Sequence, residues 1–283
     1  VNLAPVNANA ESEDVRIPTT YRVLLDRQKD IAVGVPSELD IKIVDQFGRR
    51  FADYDLNFSG SFLSYGYAAV VSQDLSWFQT TPLLVDPASV FLGGPVGEGM
   101  PGGMGGAAPA TKNGEKQVQL SFEDRIIKPK INFPAEGKYQ LFVNIWPRAT
   151  GQVELSVPVQ VGKSSSQSLA LSADTTFVRT VNDMSVTLKM DAPLVAGQDQ
   201  QLTFDIADAQ GVPLSSKIAM LSGSACNLYI IDQDLTTFLK PEFINREALQ
   251  FSVNFPHPGR YKLWFEFVQA RQIQTIAYVV DVQ

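Results

Sequence analysis

Apolar and polar residues alternate in short runs along most of this chain. Leu39-Asp40-Ile41-Lys42-Ile43-Val44, Tyr139-Gln140-Leu141-Phe142-Val143-Asn144-Ile145 and Tyr261-Lys262-Leu263-Trp264-Phe265-Glu266-Phe267 all carry apolar side chains at every second position. A period of two belongs to a strand with one buried face, because successive side chains leave a pleated backbone on opposite sides. On this register Leu263, Phe265 and Phe267 share one face and Trp264 takes the other. Turn signals such as Gln46-Phe47-Gly48-Arg49, Ala209-Gln210-Gly211-Val212 and Pro258-Gly259 separate the runs. No stripe with helical spacing extends beyond one or two turns, so the predicted fold class is all-β.

The same punctuation occurs twice in the same order. The stretch from Gly34 to Gly48 is echoed from Ala196 to Gly211, Val70-Val71-Ser72-Gln73-Asp74-Leu75-Ser76-Trp77-Phe78 by Ile230-Ile231-Asp232-Gln233-Asp234-Leu235-Thr236-Thr237-Phe238, and Asn132-Phe133-Pro134-Ala135-Glu136-Gly137-Lys138-Tyr139 by Asn254-Phe255-Pro256-His257-Pro258-Gly259-Arg260-Tyr261. Three matched blocks in order indicate an internal repeat. Asp74 and Asp234 are 160 residues apart and Tyr139 and Tyr261 are 122 apart, so the first copy holds 38 extra residues between its second and third blocks. This insertion, about 84–119, contains a Gly-rich stretch that cannot build a core of its own. The expected organisation is an extended N-terminal segment (1–20), a first sandwich (21–162), a polar linker (163–168) and a second sandwich (169–283).

Each copy carries Phe-Pro-x-x-Gly-x-Tyr before a strand. Pro and Gly make a tight corner there, and the Tyr hydroxyl is placed to bond backbone as in the tyrosine corner of Greek-key sandwiches. The arrangement resembles bacterial periplasmic immunoglobulin-like domains related to the YtkA-like and copper-binding exported proteins, in which a stretch like Gly-Ala-Met-Ala-His-Leu leads to Asp-Leu-x-x-Phe and then to His-x-His-Pro. The likeness covers most of the second copy and the outer blocks of the first. It implies two tandem immunoglobulin-like (Greek-key) sandwiches in an exported protein. The family's metal-ligand histidines are missing: Asn227 stands at one such position, Phe238 is followed by Leu239-Lys240-Pro241-Glu242, and Phe78 by Gln79-Thr80-Thr81-Pro82. No metal and no cofactor are therefore expected.

A net charge of −7 and scattered Lys and Arg argue against nucleic acid as a partner. No run of about 18 apolar residues is present, so no transmembrane segment is expected. Ala8-Asn9-Ala10 before Glu11-Ser12-Glu13-Asp14 is the small-residue pattern that precedes signal-peptidase cleavage, which points to export to the periplasm or beyond. Cys226 is the single cysteine and reads as a buried structural thiol. His257, the single histidine, reads as an exposed corner residue. One histidine and one cysteine in separate turns give no nucleophile and base pair, so no catalytic residue is assigned and no enzyme is expected. Asp53 with Asp55, and Asp232 with Asp234, read as solvated acids in preference to calcium ligands.

The functional expectation is a non-catalytic structural or accessory subunit. It docks on a multi-subunit protein assembly at the outer face of a membrane, such as an electron-transfer complex or a surface filament. The alternatives are a divergent periplasmic metal-handling protein and a carbohydrate or adhesion module using Trp77, Trp146 or Trp264. Ordering Gly-rich chain costs on the order of one kcal/mol per residue, and a partner surface is the natural compensation. Phe91, Leu92, Gly93, Gly94, Met100, Gly102, Gly103 and Met104 in the insertion are the expected partner-binding residues, since Gly permits close backbone approach and Met adapts to irregular surfaces.

Overall fold

The computed structural model describes residues 20–25, 31–49, 57–59, 62–84, 128–147, 151–163, 170–190, 193–218 and 226–283. Every paired strand among them is antiparallel, and the only helical piece is one 3-10 turn at Ser215–Lys217. The first sandwich has one layer made of two short ladders. These are β1 (Tyr21–Leu25) on β3 (Ile41–Asp45), and β2 (Pro36–Glu38) on β7 (Lys130–Asn132). Its other layer runs β4 (Asn57–Ser59), β5 (Phe62–Ser72), β8 (Gly137–Ile145), β9 (Val153–Val161), with β6 (Phe78–Leu84) also paired to β5. The second sandwich stacks the sheet β10 (Val178–Val181), β11 (Met184–Met190), β12 (Asp199–Ala207), β16 (Gln250–Asn254), β15 (Glu242–Asn245) on the sheet β14 (Phe238–Leu239), β13 (Cys226–Asp232), β17 (Gly259–Gln269), β18 (Gln272–Val282).

The repeat holds at the level of single hydrogen bonds. Asp45 accepts the N–H groups of Phe47 and Arg49 on one carboxylate oxygen at 2.9 and 2.9 Å, and Asp208 those of Gln210 and Val212 at 3.0 and 2.9 Å. Gly48 and Gly211 then supply φ values of 76° and 78°, a conformation a Cβ disfavours. Leu75 and Leu235 share φ 58°. The N–H of Gln73 donates to Lys138 O and that of Gln233 to Arg260 O, both at 2.9 Å. Strand register repeats as well, with Val23 opposite Ile43 where the second copy has Val186 opposite Ile206, and Glu38 opposite Lys130 where it has Gln201 opposite Ser252. The continuous β12 of the second copy is thus split into β2 and β3 in the first, at Leu39-Asp40.

Each sandwich closes over its own core. Ile41, Val70, Phe133, Leu141, Val143 and Ile145 fill the first, and Phe204, Leu228, Phe251, Leu263, Phe265 and Tyr278 the second. Tyr139 and Tyr261 are both buried, and their hydroxyls donate to Ala135 O and His257 O at 2.8 Å each. The two corners are therefore equivalent tyrosine corners, and both tyrosines sit early in equivalent strands. Leu263, Phe265 and Phe267 share the core face, and Trp264 faces the other way. One expectation needs correction: alternation predicts a single buried face, yet Trp264 and Glu266 are as buried as their neighbours, because a second layer of protein covers the outer face of this sheet.

Tyr139→Phe and Tyr261→Phe should each lower stability by about 1 kcal/mol, the net worth of one hydrogen bond. The corners lie in separate cores, so the double variant should lose the sum of the two, as read from urea denaturation.

Candidate functional site

The outer faces of the two long sheets pack on each other. β5 contributes Ala69 and Val71, β8 Phe142, β13 Tyr229 and Ile231, and β17 Trp264. Leu75, Leu171, Phe238 and Val279 complete a third buried cluster, with Tyr67, Phe78 and Leu235 against it. Under the repeat, Val71 corresponds to Ile231, Leu75 to Leu235, Phe78 to Phe238 and Phe142 to Trp264. Contacts across the seam reciprocate. Phe78 stacks on Trp264 with ring centroids 4.8 Å apart and planes at 19°, and its counterpart Phe238 stacks on Phe142 at 5.1 Å and 22°. Residue i meeting j while j's counterpart meets i's is the signature of a two-fold interface. Here it forms within one chain. Lys262 Nζ, from the second sandwich, donates to Leu75 O of the first at 2.6 Å and ties the same plane.

A polar row borders the aromatic centre. Tyr67, Asn144 and Glu154 are direct neighbours across β5, β8 and β9, and Asn227, Glu266 and Thr275 are direct neighbours across β13, β17 and β18. Tyr67 can enter the row because Gly66, at φ 155°, lets β5 lie tight on β8; a Cβ there would sit 1.8 Å from Asn144 O. Asn144 and Glu266 are counterparts, 1% and 6% exposed. Among the described residues the buried side-chain polar atoms without a hydrogen-bond partner are the Tyr67 hydroxyl and both amide atoms of Asn144. The Thr80 hydroxyl, on β6, is hydrogen-bonded to Glu266 and Tyr229 across the seam, and Thr275 Oγ1 donates to Glu266 at 3.4 Å. The Lys240 ammonium lies 4.6 Å from the centre of the Tyr67 ring. Burial pushes the Glu266 carboxyl up to about 7, with Lys240 and the threonines pulling the other way. Glu154 is also raised to about 7 by burial, against a hydrogen bond from the Phe238 N–H, but that residue is exposed, so less stability is linked to its ionisation.

The other sequence candidates fall as follows. Phe91, Leu92, Gly93, Gly94, Met100, Gly102, Gly103 and Met104 lie outside the described residues, as do Asp53 and Asp55. The strands on either side of their segment are described, β6 ending at Leu84 and β7 starting at Lys130, and Gln79 near the start of β6 bonds to β7, donating to Lys130 O at 3.3 Å and accepting the Asn132 N–H at 3.2 Å. Cys226 is fully buried, with its thiol pushed up to about 12 by burial. His257 is more than an exposed corner residue, because its ring meets Thr237 Oγ1 at 3.0 Å and the Tyr261 hydroxyl at 3.1 Å. Asp232 is not a solvated acid. It is 2% exposed, and its carboxylate organises the following turn by accepting the Thr236 and Thr237 N–H groups at 2.8 Å each. Asp232, Gln233, His257, Arg260 and Asp281 line an open hollow of about 280 Å³ at that corner. Among the described residues no group of three or more His, Cys, Asp or Glu side chains could hold a metal ion. No helix among them is long and apolar enough to cross a membrane. Trp264 is buried in the seam and Trp77 packs edge-on against Tyr139 at 5.7 Å, so neither is a free aromatic platform.

Sequence reasoning missed the seam residues Tyr67, Thr80, Asn144, Lys240 and Glu266. The available signal was the unbroken apolar run in Ala68-Ala69-Val70-Val71 and Leu228-Tyr229-Ile230-Ile231, which marks strands covered on both faces.

Two outcomes follow for the seam. Phe78→Ala with Trp264→Ala, and Phe142→Ala with Phe238→Ala, should each show a coupling of about 0.5–1.5 kcal/mol in a double-mutant cycle, the usual worth of an aromatic pair. Glu266 is raised from an ordinary 4.5 to about 7, so its contribution is fully present below 4.5 and is lost as pH rises through 7. Glu266→Gln should therefore be more stable than the parent at pH 8, by up to roughly 3 kcal/mol, with the gap closing towards pH 5. Equal gaps at both pH values in chemical denaturation would rule out this assignment.

Comparison with known proteins places a family model, described as a domain of unknown function (DUF8832), on residues 179–283, which is the second sandwich alone. No curated protein matches. Among solved structures, the chain is similar to FdeC, an adhesin of Escherichia coli, at 13% identity and a TM-score of 0.24, over 93% of this chain and 64% of that one. It is similar to a Ca2+-stabilized adhesin with which an Antarctic bacterium binds ice, at 7% identity and 0.22, over 94% and 49%. The D00-D0 domain of intimin matches at 8% identity and 0.20, over 92% and 99%. The chain thus spans less than two thirds of the length of the first two, and likeness at this level says nothing about ligand or partner.

Proposed function

We propose that this chain is a non-catalytic, exported accessory module that docks on a larger protein assembly at the outer face of a membrane, using the segment between β6 and β7 as its contact element. The observation that carries this reading is the Gln79 clamp. It ties the start of β6 to β7, the strand to which the long, Gly- and Met-containing segment returns, beside a sheet whose two faces are both buried. A rigid β scaffold commonly carries its binding element on a long inserted segment. The second sandwich needs only Lys240 to Leu249 to bridge the same two positions, from β14 to β16, so the sandwich itself does not require the longer segment.

Deleting Gly93 to Ala108 should leave the thermal midpoint within a few degrees of the parent while abolishing co-purification with the native membrane assembly. Retained association sinks the proposal. A large fall in the midpoint would show instead that the segment belongs to the first core. Gln79→Ala is the finer probe, expected to weaken association several-fold by loosening β7 from β6, with the seam and both cores unchanged.

A further inference from the structure

The two halves of the closed seam are built alike but carry different chemistry. In one, Phe78 stacks on Trp264, and two residues further along each strand Thr80 is hydrogen-bonded to Glu266. In the other, Phe238 stacks on Phe142, so the same step of two sets Lys240 at Asn144. The position of the Lys240 ammonium agrees with this. It lies 4.6 Å from the centre of the ring of Tyr67, the direct neighbour of Asn144 on β5, and 5.8 Å from that of Tyr229. The first half holds a hydrogen bond, whereas the second offers an amine nucleophile and the acyl carbon of an amide.

Each group is in the state that a reaction between them needs. Asn144 is almost fully buried and neither atom of its amide has a hydrogen-bond partner, so no network holds the carboxamide in place. Although Lys240 is exposed as a residue, its ammonium is set against two aromatic rings, and burial lowers its pKa, which raises the share of neutral amine. Glu266 is buried, attracts the Lys240 charge and is raised to about 7, so near neutral pH it both takes up and gives a proton. The fold holds all three on one plane without further ordering.

We propose that Lys240 and Asn144 join in an intramolecular isopeptide bond that fastens the second sandwich to the first across the seam. The lone pair of Lys240 Nζ attacks Asn144 Cγ, the Nζ–Cγ bond forms and the Cγ–Nδ2 bond breaks. Glu266 takes the proton that Nζ sheds and hands it to Nδ2, which leaves as ammonia. One amide replaces another, so no oxidant, reductant or further reactant is consumed. Loss of ammonia exchanges two unpartnered buried N–H donors for one. The new bond also closes the chain between residues 144 and 240 into a loop, which removes freedom from the unfolded state.

The test is the intact mass of the full-length chain, measured after denaturation. The parent should be lighter than its sequence by one ammonia, and its tryptic digest should hold a branched peptide joining residues 139–148 to residues 218–246 through Asn144 and Lys240. Lys240→Arg and Asn144→Ala should each show the full mass of their sequence and lack the branched peptide. A parent at full sequence mass overturns the proposal whatever the variants do, and so does a loss of ammonia that maps to another asparagine. Glu266→Gln keeps the shape of the carboxyl but cannot carry the proton, and should be found largely at full mass under conditions in which the parent is linked. A fully linked Glu266→Gln overturns the role given to Glu266.

Discussion

The stacking of two sheet faces, Phe78 on Trp264 and Phe142 on Phe238, is the constraint from which the rest of the molecule follows. It makes β5, β8, β13 and β17 serve two buried surfaces each. In an ordinary sandwich strand, polarity fixes register, because a one-residue slip sends the apolar set into water. That safeguard is weak in Ala68-Ala69-Val70-Val71 or Leu228-Tyr229-Ile230-Ile231, where both faces are apolar. Register must then come from groups that tolerate only one position. The tyrosine corners pin the start of β8 and β17 by a hydroxyl bond of 2.8 Å each. Gly66 admits β5 against β8 at one place only, and Asn144 and Glu266 must lie where the seam holds polar company.

The polar row has a cost. A buried donor or acceptor without a partner loses about 1–3 kcal/mol relative to a satisfied one, and Asn144 and the Tyr67 hydroxyl are in that position. Glu266 is better supplied, with Thr80, Thr275 and Lys240 around it, but it still resists ionisation. The aromatic centre offsets these terms, since full burial of a large apolar side chain is worth about 1.5–3 kcal/mol. Glu266, raised to about 7, gives this plane a dependence on pH in the neutral range. Thr80 sits on β6, so the strand that supports Glu266 across the seam is also the strand that leads out to the long insertion.

Much of the fold was legible in the sequence because it is written in local chemistry. Period-two runs name strands, and Asp-Gln-Phe-Gly and Asp-Ala-Gln-Gly name the same turn twice, down to matching positive φ at Gly48 and Gly211. The corner block foretells the buried Tyr139 and Tyr261. The candidate site was much less legible. Asn144 and Glu266 occupy polar slots of alternating strands and so read as solvent-facing, and only the apposition of residues more than 100 positions apart in sequence buries them. His257 and Asp232 were underestimated for a related reason, since their partners Thr237, Tyr261 and Thr236 are set by a corner and a turn whose packing the sequence pattern does not specify.

Where the two copies face solvent or turn, their chemistry has drifted freely while geometry has not. The turn with Leu75 at φ 58° is held by Ser72 and Asp74, Ser72 accepting the Trp77 N–H at 2.9 Å and Asp74 the Ser76 N–H at 3.0 Å. The counterpart with Leu235 at φ 58° is held by Asp232, with the His257 ring against Thr237 Oγ1 at 3.0 Å. At the seam, by contrast, the Glu266 carboxyl faces a threonine and a lysine, while its counterpart Asn144 has no hydrogen-bond partner. β6 gathers these constraints on one strand. Phe78 stacks in the seam, Gln79 bonds to β7, Thr80 supports Glu266, and Leu83 fills the first core. The strand that leads into the segment beyond Leu84 is therefore also one that holds the two sandwiches together.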